Sequence, residues 1–243
     1  MPSPAQPWYE RPAPVFALLT ALAFAGFLFL VIWYGAGYYR AMKSGKNVAL
    51  PQFRSSFTAG SLSALKPAAK LYDVASPDAP LLGNPYAKIT IVVFGDFECP
   101  YTKEAHPTFR GIAAEYPNDV RLLWRDFPLE TIHPRARPAA VAASCAGRQD
   151  KYWAMHDKLF ANQNALEEKD FLNYAEQIGL NTAEFTACLK SGGDKERIDR
   201  DLAAGTAATV RGTPTFFING QRVEGAIPYE ILKQIVEKFK AAK

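Results

Sequence analysis

Cys99-Pro100-Tyr101-Thr102 follows an apolar run, Lys88–Phe94 (KITIVVF), and a short turn, and it opens a stretch of helical character. Backbone N–H groups in the first turn of a helix lack partners within it, and the helix dipole adds positive potential there. A thiol at that point ionises more readily, and the thiolate is the nucleophile of sulfur chemistry. Pro100 suits a first helical turn, because the amide hydrogen it lacks would be idle there. Taken alone, Cys-Pro at a helix start could also be an ordinary buried cysteine beside a turn. A second segment adds to it: Val210-Arg211-Gly212-Thr213-Pro214-Thr215-Phe216. A proline before an apolar strand cannot donate to the ladder, so it belongs at the strand's start, often after a cis bond. A cis Thr213–Pro214 peptide would bring the backbone groups of Thr213 beside Cys99, where a bound peptide could pair with them as a strand. The chemistry these residues suggest is thiol exchange on a polypeptide.

The elements that must position them alternate. Lys88–Phe94 reads as a central strand, being β-branched and apolar without interruption. A helix is predicted from about Pro100 to Tyr116, and a strand over Val120–Phe127 (VRLLWRDF). From about Pro134 to Ala208 there are no strand signals, only helical segments. One runs from Asn181 to Ser191, with Asn181 and Glu184 at capping-box spacing. Thr215–Asn219 and Arg222–Glu224 form a hairpin around Asn219-Gly220, and a last helix runs from about Pro228 to Lys240. The Pro- and Gly-rich stretch Ser76–Pro85 reads as a loop at the domain boundary, and Leu71 and Tyr72 could add an edge strand. The order β-α-β, helical insert, β-β-α makes this an α/β protein with the thioredoxin fold and an all-helical insertion at about 134–208.

The remainder of the 243 residues divides into a tail (1–12), an anchor (13–39) and a Ser/Ala/Lys/Pro-rich linker (40–75) before the domain (76–243). Pro12 to Tyr39 carries no charge, and Val15–Trp33 is apolar apart from Thr20 and Gly26. Nineteen residues at about 1.5 Å each cover roughly 28 Å, close to a bilayer's hydrocarbon core. Trp8 and Tyr9 precede the run and Trp33, Tyr34, Tyr38 and Tyr39 close it, where interfacial aromatics belong. The run is longer than the apolar core of a cleaved signal peptide, so an uncleaved transmembrane helix is expected. Arg40, Lys43 and Lys46 outnumber Arg11, which by the positive-inside rule alone would hold the domain in the cytoplasm. A net charge of +4 with no basic stripe gives no reason to expect a dedicated nucleic-acid binder. Three cysteines and three scattered histidines form no metal-ligand spacing, and no cofactor motif is present. His106, seven residues past Cys99, is too far along its helix to act as a direct base.

The domain resembles the DsbA-type thiol–disulfide oxidoreductases of bacteria over about residues 75–240. The resemblance rests on GNPYAKITIVVFGDFECPY, RDFPLETIHPRARPAA, CAGRQDKYWAMHDKLF, FTACLKSG and VRGTPTFFINGQRVEG. It implies Cys99 and Thr102 as the catalytic positions and Pro100, Tyr101, Thr213 and Pro214 as substrate-binding ones. It also implies exported proteins with cysteines as substrates. It places the protein in the bacterial cytoplasmic membrane, crossing once, with the domain outside the cytoplasm. Cys145 and Cys188 match positions that form a structural disulfide in some relatives, although residue pattern alone also fits two buried free thiols. A bridge across 43 residues would stabilise by about 4 kcal/mol through loop entropy and would imply an oxidising compartment. His133 matches a family position before the insert, where packing or hydrogen bonding is its expected role.

The sequence departs from the family pattern at Thr102, where the second cysteine of C-x-x-C belongs. Cys99 then cannot close an internal disulfide, so dithiol oxidation is replaced by monothiol exchange of the isomerase or reductase kind. Release of the mixed disulfide needs an external thiol, a membrane redox partner, or another cysteine of the substrate. The alternative is a catalytically silent thioredoxin-like module that binds peptides or acts as a chaperone.

Overall fold

The computed structural model describes residues 20, 21, 23–30, 32, 33 and 70–241. The chain separates into two compact units, 1–54 and 55–243. In the first, the described residues between 20 and 33 are helical, with Phe24, Phe27, Phe29, Ile32 and Trp33 exposed. Among the described residues no helix is long and apolar enough to cross a membrane. The expected tail, the flanks of the expected anchor and the linker up to residue 69 lie outside the described residues.

In the second unit the elements are β1 (Leu81–Gly83), β2 (Ile89–Gly95), α1 (Pro100–Glu115), β3 (Val120–Asp126), α2 (Ala136–Gly147) and α3 (Tyr152–Ala161). They continue with α4 (Glu168–Gln177), α5 (Thr182–Lys190), α6 (Lys195–Ala207), β4 (Thr215–Ile218), β5 (Gln221–Glu224) and α7 (Tyr229–Ala241). The five strands lie in the order β1-β3-β2-β4-β5. β2 and β3 are parallel and every other pair is antiparallel. Helices α2–α6 form the insertion between β3 and β4.

β2 shows no polar alternation because both of its faces are covered. Ile91 and Val93 join Leu122, Trp124, Phe216 and Ile218 in the larger core, under α1, α7 and the insert. Val92 and Phe94 point the other way, into a second core with Leu123, Phe217, Phe127, Val74 and Ala79. α1 buries Thr102, Ala105, Phe109, Ile112 and Ala113, the three- and four-residue spacing of one helical face. Gly95 ends β2 because the Trp124 ring lies 2.1 Å from where a side chain would begin. Asn219 and Gly220 both take positive φ (46° and 81°), as the tight β4–β5 hairpin requires.

Two local features differ from the sequence reading. Leu81–Gly83, inside the expected boundary loop, is a strand paired antiparallel with β3. Three residues flanked by Pro80 and Asn84 are too few to show a period. Leu71 and Tyr72 form no strand; Tyr72 N–H donates to Gly220 O at 2.9 Å and its ring meets Phe217 edge-on.

A buried ionic cluster fastens the insert to β3. Asp126 accepts from Trp124 Nε1 (2.8 Å) and Arg197 Nη2 (2.7 Å). Asp201 accepts from Arg197 Nη1 (2.8 Å), from Asp126 N (3.1 Å) and from Arg125 Nε. All four charged side chains are buried, and their charges balance.

Candidate functional site

The nucleophile turn begins where β2 stops. Asp96, 1% exposed, folds its carboxylate back under the turn. Oδ1 accepts from Glu98 N (2.7 Å) and Cys99 N (3.2 Å), and Oδ2 from Leu129 N (2.8 Å). His133 Nδ1 lies 2.9 Å from Oδ2, which gives that histidine a hydrogen-bonding role. The expectation of idle amides around Cys99 therefore changes, since Asp96 holds those of Glu98 and Cys99. Phe97 is buried against Trp124 and Phe160. Glu98 accepts from Arg135 N (2.7 Å) and Arg135 Nε (2.9 Å), tying the turn to the start of α2.

Cys99 is the N-cap of α1, with φ −73° and ψ 123°. Its Sγ–H donates to the carbonyl of Thr213 at 3.2 Å, and the Thr213–Pro214 peptide is cis. The two segments that the sequence singles out, with Cys99 and Thr213 114 residues apart along the chain, thus meet at one sulfur. Thr102, one turn beyond Cys99, is buried, and its hydroxyl has no hydrogen-bond partner; neither has that of Thr213. Cys99 itself is only 3% exposed, as in the ordinary buried cysteine that the Cys-Pro pattern taken alone also allows. Pro100, Tyr101 (49% exposed) and Arg211 stand at the surface beside it. Pro214 is buried behind Thr213 as the lead-in to β4.

Sequence reasoning missed Asp96, Glu98, Arg135 and Gln163. Gln163, in the loop between α3 and α4, donates to Phe97 O and to Cys99 O, each at 2.9 Å. A Glu–Arg pair 37 residues apart and a glutamine 64 residues from its partner leave no local pattern. Cys145 and Cys188 are joined by a disulfide between α2 and α5, with Cα atoms 5.7 Å apart.

Further along α1, His106 Nε2 lies 2.9 Å from Asp157 Oδ1, and His156 Nδ1 lies 3.3 Å from the same oxygen. These three groups are near enough to ligate a cation. Arg110 already supplies one: its guanidinium forks onto Asp157 at 3.0 and 2.8 Å. Asp157 is thus shared between one guanidinium and two imidazoles, while His156 Nε2 is buried without a hydrogen-bond partner. Burial pushes Asp157 upward, but the bonds from His106, His156 and Arg110 outweigh it and hold this carboxyl well below its usual range. His156, wholly buried among Trp124, Phe97 and Phe160, is lowered by that burial to about 4.

A family model described as Thioredoxin matches residues 75–238, so the chain belongs to the thioredoxin family. Its helical insertion gives it the DsbA-type form of that fold. Among solved structures it is similar to a thioredoxin-like oxidoreductase from Silicibacter pomeroyi DSS-3. The two are 30% identical with a TM-score of 0.62, over 69% of this chain and 95% of the other. The fold of oxidised BdbD from Bacillus subtilis is also similar, at 23% identity and TM-score 0.59, over 66% and 92% of the two chains. Among curated proteins it is similar to the Na(+)/H(+) antiporter NhaA 1 of Salinispora arenicola, 41% identical over 150 residues. That match covers 62% of this chain and 23% of the antiporter. The NhaA antiporter of Herminiimonas arsenicoxydans is 34% identical over 151 residues, 62% of this chain and 24% of that protein. The chain thus spans about a quarter of the length of these curated relatives.

Proposed function

We propose that this protein is a membrane-anchored thiol–disulfide oxidoreductase that works on exported proteins by monothiol exchange through Cys99. The observation that carries this reading is the placement of Cys99 Sγ at a helix N-cap, 3.2 Å from the carbonyl that precedes a cis proline. A substrate strand laid against Thr213 would present its disulfide to that sulfur. The Cys99 thiolate attacks one sulfur of the disulfide, forming a mixed disulfide and expelling the other sulfur as a thiolate, which takes up a proton. An external thiolate, or another cysteine of the substrate, then attacks the substrate sulfur of that bond. Cys99 leaves as a thiolate and its oxidation state is unchanged over the cycle. With Thr102 where a resolving thiol would stand, Cys99 has no partner on its own helix to store an oxidising equivalent. The Thr102 hydroxyl, buried and unpartnered, is free to turn toward the thiolate and donate to it.

Anchoring and location are supported from two directions: the uncharged run 12–39 and the Cys145–Cys188 bridge. The bridge favours a domain outside the cytoplasm, against the weak charge bias flanking the run.

The burial of Cys99 favours a second reading, a silent peptide-binding module. An aromatic disulfide reagent separates the two. Folded wild-type protein should release one aromatic thiolate per chain and carry a reducible adduct on Cys99. Cys99→Ser should release none. A folded wild-type protein that releases none would leave only the binding module.

A further inference from the structure

Besides Arg135 and Phe160, the insert reaches the nucleophile turn through Gln163, which no sequence motif marks. Gln163 is half-buried in the loop between α3 and α4. Its two amide hydrogens go to two carbonyls of the turn, Phe97 O and Cys99 O, both at 2.9 Å. Both partners are acceptors, so only the nitrogen of the amide can face them, and the orientation of the side chain is fixed by chemistry. The loop that carries it is held in turn. Asn162 N donates to Lys158 O (3.1 Å), Ala165 N to Asn162 O (2.8 Å), and Tyr174 Oη to Ala165 O (2.9 Å).

The opposite side of the same turn is held by Asp96, which takes the amides of Glu98 and Cys99. N–H groups are thus drawn one way and C=O groups the other, so the peptide planes on both sides of Cys99 are clamped. This matters for a nucleophile, because those planes decide where Sγ points relative to Thr213. They also decide whether carbonyl oxygens or amide hydrogens lie nearest a developing thiolate. Cys99 O has one further donor, Lys103 N at 3.1 Å, which belongs to α1 itself. Among the described partners, Gln163 supplies the donor from outside the helix.

We propose that Gln163 is a positioning residue for Cys99, through which the helical insert sets the geometry of thiolate attack. The inference rests on the monothiol reading above. It assigns Gln163 no contact with substrate.

The test measures the rate of adduct formation on Cys99 by the aromatic disulfide in wild type, Gln163→Met and Gln163→Glu, alongside urea unfolding of each. Methionine keeps the length and loses both donors, and its rate should fall by about tenfold to a hundredfold while the protein stays folded. Glutamate is isosteric and, once protonated, regains one O–H donor. Its rate relative to wild type should therefore climb as pH falls toward 4, whereas the Met-to-wild-type ratio stays flat. Asp96, Glu98, His133, Arg135 and Glu167, the charged or titratable groups around the turn and the loop, are present in all three proteins, and any pH dependence they impose on the turn itself is read from the Met-to-wild-type ratio. A purely structural role would change unfolding without that pH-dependent recovery. A Gln163→Met protein that reacts at the wild-type rate overturns the proposal and leaves monothiol exchange standing. If Gln163→Met does not fold, Gln163→Glu decides: a climbing ratio supports the proposal and a flat one overturns it. A wild type that forms no adduct removes both.

Discussion

β2 and β3 end side by side, with Gly95 in register with Asp126; a buried carboxylate, Asp96, follows β2 and another, Asp126, is the last residue of β3. Their surroundings differ in kind. Asp126 and Asp201 face Arg125 and Arg197, two charges of each sign, and the oxygens are taken by guanidinium, indole and backbone donors. Among the described residues Asp96 faces no arginine. It is met by three backbone amides and one imidazole, and the hydroxyls of Thr102 and Thr213, on the two segments that meet at Cys99, have no partner; neither has that of Tyr152, beside the β3 cluster. Buried polar groups are normally satisfied, because leaving one unmade costs about 1–3 kcal/mol. The β3 cluster is thus a fastening that holds the insert on the sheet. The β2 turn keeps unspent donors around a sulfur, as expected where a new charge is to form.

The sharpest way to break this contrast is to cut the fastening. Arg197→Met should destabilise by about 3–5 kcal/mol, because two buried carboxylates lose their shared cation. The drop is read from the urea midpoint. The fraction still folded should form the Cys99 adduct at the wild-type rate, and a parallel loss of rate would show that the two regions are one unit.

Acid comes next in size. The pKa of His156 is lowered by burial to about 4 from 6.5. The stability it protects is complete above 6.5 and is lost as pH falls toward 4. The shift corresponds to about 3 kcal/mol. Asp201 works the other way. Burial and the neighbouring Asp126 raise it to about 6, so its contribution is complete below about 4 and is lost as pH rises through 6. The two slopes oppose each other, which should leave the wild type only weakly pH-dependent between pH 4 and 6.5. His156→Phe keeps a ring in the aromatic core and removes one slope. Relative to wild type it should gain about 3 kcal/mol between pH 7 and pH 4, measured by urea unfolding at each pH. Equal slopes for the two proteins would show that His156 accepts a proton in the folded state as easily as in the unfolded one.

Much of this contrast was hidden in the sequence, for physical reasons. Strands β2–β5 and helix α1 were legible because their signals are local: β-branched runs, Asn219-Gly220, and a proline at each critical start. The meeting of Cys99 with Thr213 could be inferred because the order of elements dictates it. The carboxylate network could not be. Asp126, Asp201, Arg125 and Arg197 look like ordinary surface charges on strand and helix, and only the closure of α6 over β3 buries them. Asp96 read as a turn former, and nothing nearby says that its oxygens collect donors from residues 98, 99, 129 and 133. Whether Cys99 is buried stayed open in the sequence, since depth is set by what packs around a turn and not by the turn's own residues.

A smaller effect calibrates these comparisons. Asn181 accepts from Ala183 N (3.1 Å) and Glu184 N (3.2 Å) at the start of α5, while its Nδ2 donates to Glu184 Oε1 (2.9 Å). Asn181→Ala should cost about 1 kcal/mol in urea unfolding and leave adduct formation on Cys99 untouched. A change in that rate would mean that any loosening of the insert reaches the sulfur, which would blur the specific part given to Gln163.

The smallest expected change in stability carries the most information about the sulfur. Thr102→Val exchanges an orphaned hydroxyl for a methyl of similar shape. A buried donor without a partner is a liability, so removing it should be neutral or stabilise by up to about 1 kcal/mol. Adduct formation should move the other way. If the hydroxyl donates to the thiolate, a charge-assisted bond worth about 1.5 kcal/mol disappears, and the rate falls by about tenfold. Stability rising while rate falls is the signature of a group kept for chemistry at the expense of packing. If Thr102→Val instead lowered stability and left the rate alone, the hydroxyl would have a structural partner in solution. The β2 turn would then lose one of the two unpartnered hydroxyls that mark it out from the ion-paired cluster at the end of β3.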